Sequence, residues 1–409
     1  MKIGKISALC DISIDTIRYY IKLGLLLPKM QGNMLDFTQR EIDDLEHIKK
    51  LKYFGFNLKE IQYIFSLKNL SNWIEPDTLN EYVYLLQKRQ EEVEQIIQEK
   101  QEAVQLIRDE IDKVSSICQE TNLKMGVPIM ALQYLACPNC QTMLGIEQAK
   151  ITNKYIYSGE LSCICGYQAK IEDGIVITKN QYTGDSDKAD LKRQLYRDLS
   201  DDFYNYFRTC SDLILNQIGN ISPSPKVVLE ANINGYFFLY QHFKILPTDS
   251  LYIVVDKFPE MLAMYKALIE LLNLDLNILF IADASTHYPL KHESVDLLVS
   301  FFGENEHLFY HQDAYIQDTQ KIYAPDYHVL GAFMAYKQQA NSREKLKAKY
   351  PESSVHVHSF EYLQTVYATL PEKQFKYTLI GDVLKSPDKY SFSCHAEGET
   401  LKIYHYTLS

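Results

Sequence analysis

The chain has 409 residues, 46% of them hydrophobic, which is typical of a globular protein long enough for several domains. Its net charge of −11 argues against a generic nucleic-acid coat but is compatible with one local DNA-binding face. Residues 1–70 hold nine Lys and two Arg against five Asp and three Glu, a local charge of +3, so the remaining residues carry −14. This asymmetry predicts a DNA-binding N-terminal head, residues 1–70, attached to an acidic remainder of the chain.

The sequence shows neither a signal-peptide pattern nor a run of about 18 apolar residues, so we expect no membrane partner. Eight Cys, four of them in two close pairs, fit a reducing compartment with a metal site better than a disulfide framework. The composition therefore favours a cytoplasmic protein.

Residues 13–27 have the pattern of a DNA recognition helix. Ser13 is the predicted N-cap, because its hydroxyl can accept from the first free backbone N–H groups. Ile14, Ile17 and Ile21 follow at i, i+3 and i+7, so we expect one face of the helix to pack inward. The other face presents the donors and aromatic groups that can meet phosphates or bases, namely Thr16, Arg18, Tyr19 and Lys22.

The flanking residues complete a winged helix-turn-helix. A short helix is predicted over residues 3–10, and a hairpin wing over 28–37 with its turn at Gly32-Asn33. Thr38 and Glu41 then have the spacing of a capping box at the start of the next helix.

Three motifs in this region resemble the DNA-binding domain of MerR-family transcription regulators over about 70 residues. They are T-I-R-Y-Y-x-x-x-G-L-L, F-T-x-x-E-I and L-K-Y-F-G-F-N-L-K-E-I. The resemblance implies DNA contacts by the recognition helix and by Phe37, which matches an aromatic that lies against the DNA backbone. The wing lacks the family's usual first Tyr and its Arg, and Leu35 cannot replace the phosphate contact of that Arg. The predicted DNA-binding residues are Ser13, Thr16, Arg18, Tyr19, Lys22 and Phe37.

Residues 77–122 predict one long helix with an apolar seam spaced by four and three residues. A partner helix would cover this seam, and packing against the chain's own body is the alternative. The resemblance implies an antiparallel coiled coil between two protomers, and hence a homodimer with two recognition helices. The seam consists of Leu79, Val83, Leu86, Gln90, Val93, Ile97, Lys100, Val104, Ile107, Ile111, Val114 and Cys118.

Four cysteines form two pairs, Cys137-Pro-Asn-Cys140 and Cys163-Ile-Cys165, with 22 residues between them. Four thiolates at this spacing suit a closed, tetrahedral structural Zn²⁺ site. The pattern resembles the zinc ribbons that precede some class I methyltransferase domains, although the second pair is one residue short. A redox pair and a metal-free site are the alternatives.

The remaining residues predict a helix over 188–211, followed by alternating strands and helices that indicate a parallel sheet covered on both faces. Such sheets bind ligands beyond the carboxyl ends of their strands. The order of elements resembles a class I S-adenosylmethionine-dependent methyltransferase over about 220 residues. This resemblance implies that Asp256 bonds the ribose hydroxyls and that Asp283 lies next to the adenine.

The first loop of this domain departs from the family pattern. When aligned on Glu230, the three family glycines become Asn232, Asn234 and Tyr236, which add bulk where the backbone should approach the cofactor. Three interpretations follow: an active methyltransferase, a sensor of S-adenosylmethionine or another small ligand, and a ligand-free scaffold. The altered loop favours the sensor. The predicted ligand-binding residues are Glu230, Asn232, Asn234, Tyr236, Asp256 and Asp283.

We therefore predict a multidomain chain with a winged helix-turn-helix over 1–76, a coiled-coil dimerisation helix over 77–126, a zinc ribbon over 127–182 and an α/β doubly wound methyltransferase-like domain over 183–409. The expected function is a homodimeric regulator that bends or untwists promoter DNA for RNA polymerase, under the control of a small-molecule effector. Zinc and S-adenosylmethionine are the expected cofactor and candidate ligand. The alternative is an active methyltransferase whose DNA-binding head serves autoregulation.

Overall fold

The computed structural model describes residues 1–31, 34–71, 74–117, 124–185, 187–195, 197, 199–384 and 392–409. They form two compact units, Met1–Ser116 and Ile117–Ser409. Among the described helices, none is long and apolar enough to cross a membrane.

The first unit is a small helical head that continues into one long helix. Its core is built from buried residues of the first four helices and from the residue that follows the hairpin. The elements are α1 (Ile3–Cys10), α2 (Ile14–Lys22), β1 (Lys29–Gln31), β2 (Met34–Asp36), α3 (Gln39–Tyr53), α4 (Leu58–Ser71) and α5 (Pro76–Ile117).

The predicted helix over 3–10, the hairpin wing and the capping box are confirmed by this structure. The wing is an antiparallel hairpin of β1 and β2, although Gly32 and Asn33 of its turn lie outside the described residues. Thr38 precedes α3, and its backbone N–H donates to Glu41 Oε2 at 2.7 Å, as a capping box requires. The predicted seam residue Cys118 also lies outside the described residues.

The second unit contains one large mixed sheet with helices packed on it. Its strands are β3 (Val127–Pro128), β4 (Gly145–Thr152), β5 (Tyr155–Ser162), β6 (Gln168–Glu172), β7 (Ile175–Ile177), β8 (Val227–Ala231), β9 (Leu251–Asp256), β10 (Asn277–Ala282), β11 (Val295–Phe301), β12 (Tyr323–Ala335), β13 (Phe375–Val383) and β14 (Leu401–Leu408). Its α-helices are α6 (Asp201–Asn220), α7 (Phe238–His242), α8 (Pro259–Leu271), α9 (Gly303–Tyr310), α10 (Tyr315–Asp318), α11 (Asn341–Lys349) and α12 (Phe360–Ala368).

The strand order is β13-β14-β12-β11-β8-β9-β10-β7-β6-β5-β3, with β4 paired to β5. The pairs from β12 through β7 are parallel, whereas β14 and the strands on the far side of β7 pair in the antiparallel sense. Strand β7 pairs with β10, so the strands around the cysteines and the central α/β strands form one continuous sheet.

Alternate residues of the central strands belong to two separate cores. Val227 and Leu229 of β8 pack in one of them, while Val228 between them packs in the other. This period of two means that both faces of the sheet are covered, as the doubly wound prediction requires.

The predicted helix over 188–211 is confirmed only from residue 201 onward, because the helix in this region is α6, which continues to Asn220. Arg193 has a φ of 51°, in the left-handed region, which a helix cannot accommodate. The carboxylate of Asp190 accepts the backbone N–H groups of Gln194 and Leu195, at 2.7 and 2.8 Å. A tight turn therefore replaces the expected helix, and α6 begins only after its N-cap Ser200.

Candidate functional site

The recognition helix α2 is fixed by its cap and by its buried face. Ser13 Oγ accepts the backbone N–H of Thr16 at 3.1 Å. Ile17 and Tyr20 are buried at 0% and 3% exposure, which anchors the helix in the core of the head. Ile14 is 37% exposed, so the expectation that it packs inward with Ile17 is wrong.

The outer face of α2 presents a guanidinium, an ammonium and a phenol. The Arg18 side chain is 67% exposed, and its Nη1 lies 3.5 Å from Asp15 Oδ1. Tyr19 is 48% exposed, and Lys22 is exposed in the last turn of the helix. These groups can donate to phosphates and to base edges, which is the chemistry of a recognition helix.

Phe37 belongs to the core instead of the DNA-facing surface. Its side chain is 1% exposed, and its backbone N–H donates to Met1 O at 2.9 Å. A ring in that position cannot lie against a DNA backbone, so the predicted contact of Phe37 is wrong. The exposed apolar groups of the hairpin are instead Met30 and Met34, at 65% and 57% exposure, which sequence reasoning missed.

The first turns of α5 are attached to the head by charged and aromatic contacts. Arg89 Nη2 donates to both carboxylate oxygens of Glu60, at 2.8 and 2.9 Å. The guanidinium of Arg89 also lies 4.6 Å from the centre of the Phe56 ring. Tyr82 of α5 hydrogen-bonds the ring of His47 at 3.0 Å. These contacts fix the direction in which α5 leaves the head.

The apolar seam of α5 is exposed along the helix. The aliphatic side chains that the sequence assigned to the seam are between 39% and 59% exposed, apart from Leu86, which packs against the head. They are Leu79, Val83, Val93, Ile97, Val104, Ile107, Ile111 and Val114. An exposed apolar stripe of this length is typical of a helix face that packs against a partner helix.

The four predicted metal ligands come together. The Sγ atoms of Cys137, Cys140, Cys163 and Cys165 all lie within 4.8 Å of one another. The separation is 3.3 Å between Cys137 and Cys165, and 3.4 Å between Cys140 and Cys163. Tetrahedral Zn–S bonds of about 2.3 Å place sulfurs roughly 3.8 Å apart, so the cluster fits a Zn²⁺ ion.

The two cysteines of the first pair differ in their surroundings. Burial raises the pKa of the Cys137 thiol to about 12. The Thr142 hydroxyl beside Cys140, at 3.4 Å from the sulfur, helps to lower the pKa of the Cys140 thiol to about 6. Cys140 therefore supplies a thiolate readily, whereas Cys137 needs a cation to stabilise its charge.

At the carboxyl edge of the central sheet, two predicted ligand residues are buried and bonded to the chain's own backbone. Glu230 accepts the N–H groups of Phe238 and Leu239 at 2.7 and 2.8 Å. Burial nonetheless raises the pKa of Glu230 to about 8. Asp256 accepts the N–H groups of Asn234 and Phe258 at 3.0 and 2.9 Å, and burial raises its pKa to about 6. Their oxygens thus organise the two loops that line this edge.

Asp283 occupies the corresponding position after β10. Its Oδ2 accepts the Thr178 hydroxyl at 2.6 Å and the Asn180 amide at 3.2 Å, and its Oδ1 accepts the backbone N–H of Ser285 at 2.6 Å. The residue is 3% exposed, and burial raises the pKa of its carboxyl. The structure therefore brings Glu230, Asp256 and Asp283 to one edge of the sheet, each held by hydrogen bonds.

In the loop after β8, one of the three positions aligned with the family glycines, Asn232, has a left-handed backbone. Asn232 has a φ of 60°, and its N–H donates to Val255 O at 3.0 Å. The Tyr236 ring packs edge-on to Phe207 at 4.5 Å and lies 5.1 Å from Phe301. Asn232 thus adopts the left-handed conformation that a glycine favours. Tyr236 fills space between aromatic core residues.

A segment that the sequence did not single out, residues 187–195, binds this same loop. Arg193 donates to the carbonyl groups of Asn234 and Gly235, each at 2.8 Å. The N–H of Asp190 donates to Asn234 Oδ1 at 2.9 Å. Lys257 Nζ, which follows Asp256, lies 2.6 Å from Asp187 and over the ring of Tyr310 at 3.5 Å. The only signal in the sequence was an unusual density of charge in this segment.

Comparison with known proteins identifies the N-terminal unit. Residues 1–68 match the MerR HTH family regulatory protein profile. The HTH-type transcriptional regulator ZntR of Escherichia coli (strain K12) is 29% identical over 104 residues, which is 24% of this chain and 70% of that regulator. The mercuric resistance operon regulatory protein of Bacillus cereus is 34% identical over 62 residues, covering 15% of this chain and 47% of that protein. The chain thus carries a MerR-type helix-turn-helix domain at its N-terminus.

The second unit also has counterparts among solved structures. An O-methyltransferase from Bacillus cereus is 10% identical, with a TM-score of 0.29, over 49% of this chain and 91% of that one.

Proposed function

We propose that this chain, which begins with a MerR-type helix-turn-helix domain, is a transcription regulator that binds promoter DNA as a homodimer. The observation that carries the proposal is the exposed Arg18, Tyr19 and Lys22 face of α2 beside a hairpin wing. A helix of this kind enters the major groove, and two copies related by a two-fold axis read two half-sites. RNA polymerase at the same promoter is the proposed downstream partner.

Dimerisation is proposed through the exposed seam of α5. Two such helices packed in an antiparallel sense would cover both seams and hold the two heads at a fixed separation. Since Arg89 and Tyr82 tie each helix to its own head, a change in the helix pair would reorient the recognition helices. Bending or untwisting of the DNA would follow from that reorientation.

The test of DNA binding is the Arg18→Ala variant in a footprint and gel-shift titration on the promoter of the protein's own gene. We expect affinity to fall about 10- to 100-fold, because loss of a specific Arg contact costs roughly 1–3 kcal/mol. Arg208→Ala is the matched control, since Arg208 is an exposed arginine on α6 of the second unit. Unchanged protection by the Arg18→Ala protein would contradict the assignment of α2 as the recognition helix.

The cysteine cluster is proposed to hold a structural zinc ion. Its four ligands would be Cys137, Cys140, Cys163 and Cys165, whose sulfurs lie at separations suited to one tetrahedral ion. Zinc bound in this way supplies a cross-link between the two cysteine-bearing loops. With four protein ligands no coordination position is open for a substrate, which favours a structural role.

The carboxyl edge of the central sheet is proposed as the effector site, with S-adenosylmethionine as the candidate ligand. The support is the position of Asp256 and Asp283 after adjacent parallel strands, where open α/β sheets bind ligands. The bulk of Tyr236 in the loop after β8 favours a sensor over an active methyltransferase. Cytoplasmic localisation is part of the same proposal.

Calorimetric titration with S-adenosylmethionine tests the effector site. We expect saturable binding together with a change of roughly 5- to 150-fold in DNA affinity, since coupling between two sites is typically 1–3 kcal/mol. Incubation with the methyl-labelled compound is the companion measurement. Transfer of label to DNA, RNA or a small molecule would support the enzyme alternative, and absence of binding would contradict this choice of ligand.

A further inference from the structure

The cysteine cluster is joined directly to the loop that follows β10. Residues 134–141, which surround Cys137, hold residues 289–292 through three hydrogen bonds, and Leu135 pairs with Leu290 in an isolated β-bridge. The bonds run from Ala136 N to Pro289 O (3.2 Å), from Lys291 N to Tyr134 O (2.8 Å) and from His292 N to Gln141 Oε1 (2.8 Å).

The start of the same loop is connected to the second cysteine pair through the sheet. Strand β6 begins three residues after Cys165 and pairs with β7, which in turn pairs with β10. Directly after β7, Thr178 and Asn180 donate to the carboxylate of Asp283, and Asn180 O accepts the N–H of Ala284 at 2.7 Å. The loop over 283–292 therefore lies between two anchors, and each anchor continues into one of the cysteine pairs.

We propose that metal binding at the four cysteines sets the conformation of residues 283–292 and thereby the position of Asp283 at the edge of the central sheet. This inference rests on the proposed zinc and effector sites, and it makes zinc a regulator of the effector site. Without a metal, the clustered sulfurs lack the cation that holds both pairs together, so residues 134–141 lose their fixed conformation. The three bonds to residues 289–292 then lose their partners.

Hydrogen–deuterium exchange on the full-length protein, zinc-loaded and after chelation, measures this coupling. We expect exchange over 283–292 to accelerate when zinc is removed, while β8 and β9 keep their protection. The N–H of His292 is the most direct reporter, because its acceptor is the Gln141 side chain. Unchanged exchange over 283–292, or equal acceleration in β8 and β9, would overturn the proposal.

The Gln141→Asn variant tests the coupling at its contact with residue 292. Because Gln141 Nε2 also donates to Cys137 O at 3.2 Å, zinc content is measured on the same sample. Gln141 has a φ of 60°, which Asn tolerates well, and the shorter side chain no longer reaches the His292 N–H. With zinc content unchanged, we expect exchange at 289–292 to accelerate roughly fivefold, as loss of about one hydrogen bond implies. Gln133→Asn is the matched control, because Gln133 is exposed and bonds only within its own turn, to Met130 O. Exchange as slow as in the unmodified protein would contradict the proposed route.

Titration of S-adenosylmethionine into the zinc-loaded and zinc-free proteins then tests the consequence for the effector site. We expect weaker binding by the zinc-free form. If neither form binds this compound, the choice of ligand fails, whereas the exchange result still decides the coupling. If mass spectrometry finds no zinc in the purified protein and none on reconstitution, both the metal site and the coupling are wrong.

Discussion

Replacement of both Ile107 and Ile111 with Asp is expected to convert the proposed homodimer to a monomer. DNA binding should weaken roughly 10²- to 10⁴-fold, which is the range by which bivalent binding exceeds binding through one module. Both side chains lie on the seam of α5, at 59% and 57% exposure in the single chain. Each isoleucine buried in a helix pair contributes about 1.5–3 kcal/mol, and a carboxylate in its place must be desolvated as well.

Light scattering coupled to size-exclusion chromatography measures the oligomeric state, and a gel-shift titration measures DNA affinity. Leu106→Asp is the matched control, because Leu106 is 69% exposed and lies outside the seam. The control should remain a dimer with unchanged affinity. A doubly substituted protein that is still dimeric at micromolar concentration would show that the dimer forms through another surface.

Removal of one zinc ligand by Cys137→Ser is expected to abolish stoichiometric zinc and to lower the thermal stability of the second unit. Structural zinc supplies apparent binding energies of about 10–16 kcal/mol in zinc-finger peptides, so even a fraction of that value exceeds the effect of an ordinary core substitution. Cys137 is 0% exposed, so a thiolate at that position is shielded from bulk solvent and depends on a bound cation.

Elemental analysis for zinc and differential scanning calorimetry provide the two readouts. Cys394→Ser serves as the control, since Cys394 is a free cysteine that lies apart from the cluster. We expect the control to keep one zinc per chain. Intact-mass evidence of disulfides in the purified protein, with no zinc, would favour the redox alternative over the structural metal site.

The head could be predicted from the sequence because its signals are local. Caps such as Ser13 and Thr38, and the period of apolar residues, depend on neighbours within one or two turns. Phe37 was misplaced because its burial depends on the backbone of Met1 and on helices from across the head. A family pattern predicts which residue type stands at such a position. Whether the side chain is exposed or buried there depends on tertiary packing.

The candidate sites show the same contrast: local signals could be predicted from the sequence, whereas tertiary contacts could not. The spacing of the cysteines predicted the cluster, since a short loop brings two thiolates to one ion. The hydrogen bond from the His292 N–H to Gln141 Oε1 joins residues 151 positions apart, and no local pattern indicates it. Likewise, the polar sequence around Arg193 favoured a helix, but bonds to Asn234 and Gly235 impose a turn there. Tertiary hydrogen bonds of this kind override local propensity.

The pairing of β7 with β10 has a consequence for how the protein is made. Strand β7 ends at Ile177, and its partner β10 begins only at Asn277, after two intervening strands of the central sheet. On the ribosome, β7 therefore emerges paired to β6 on one side, while its other edge stays open until β8, β9 and β10 have been made. Such long-range parallel pairing is slow, and an open strand edge favours aggregation. A chain truncated directly after β7 would lack β10, so this edge of β7 would stay exposed permanently.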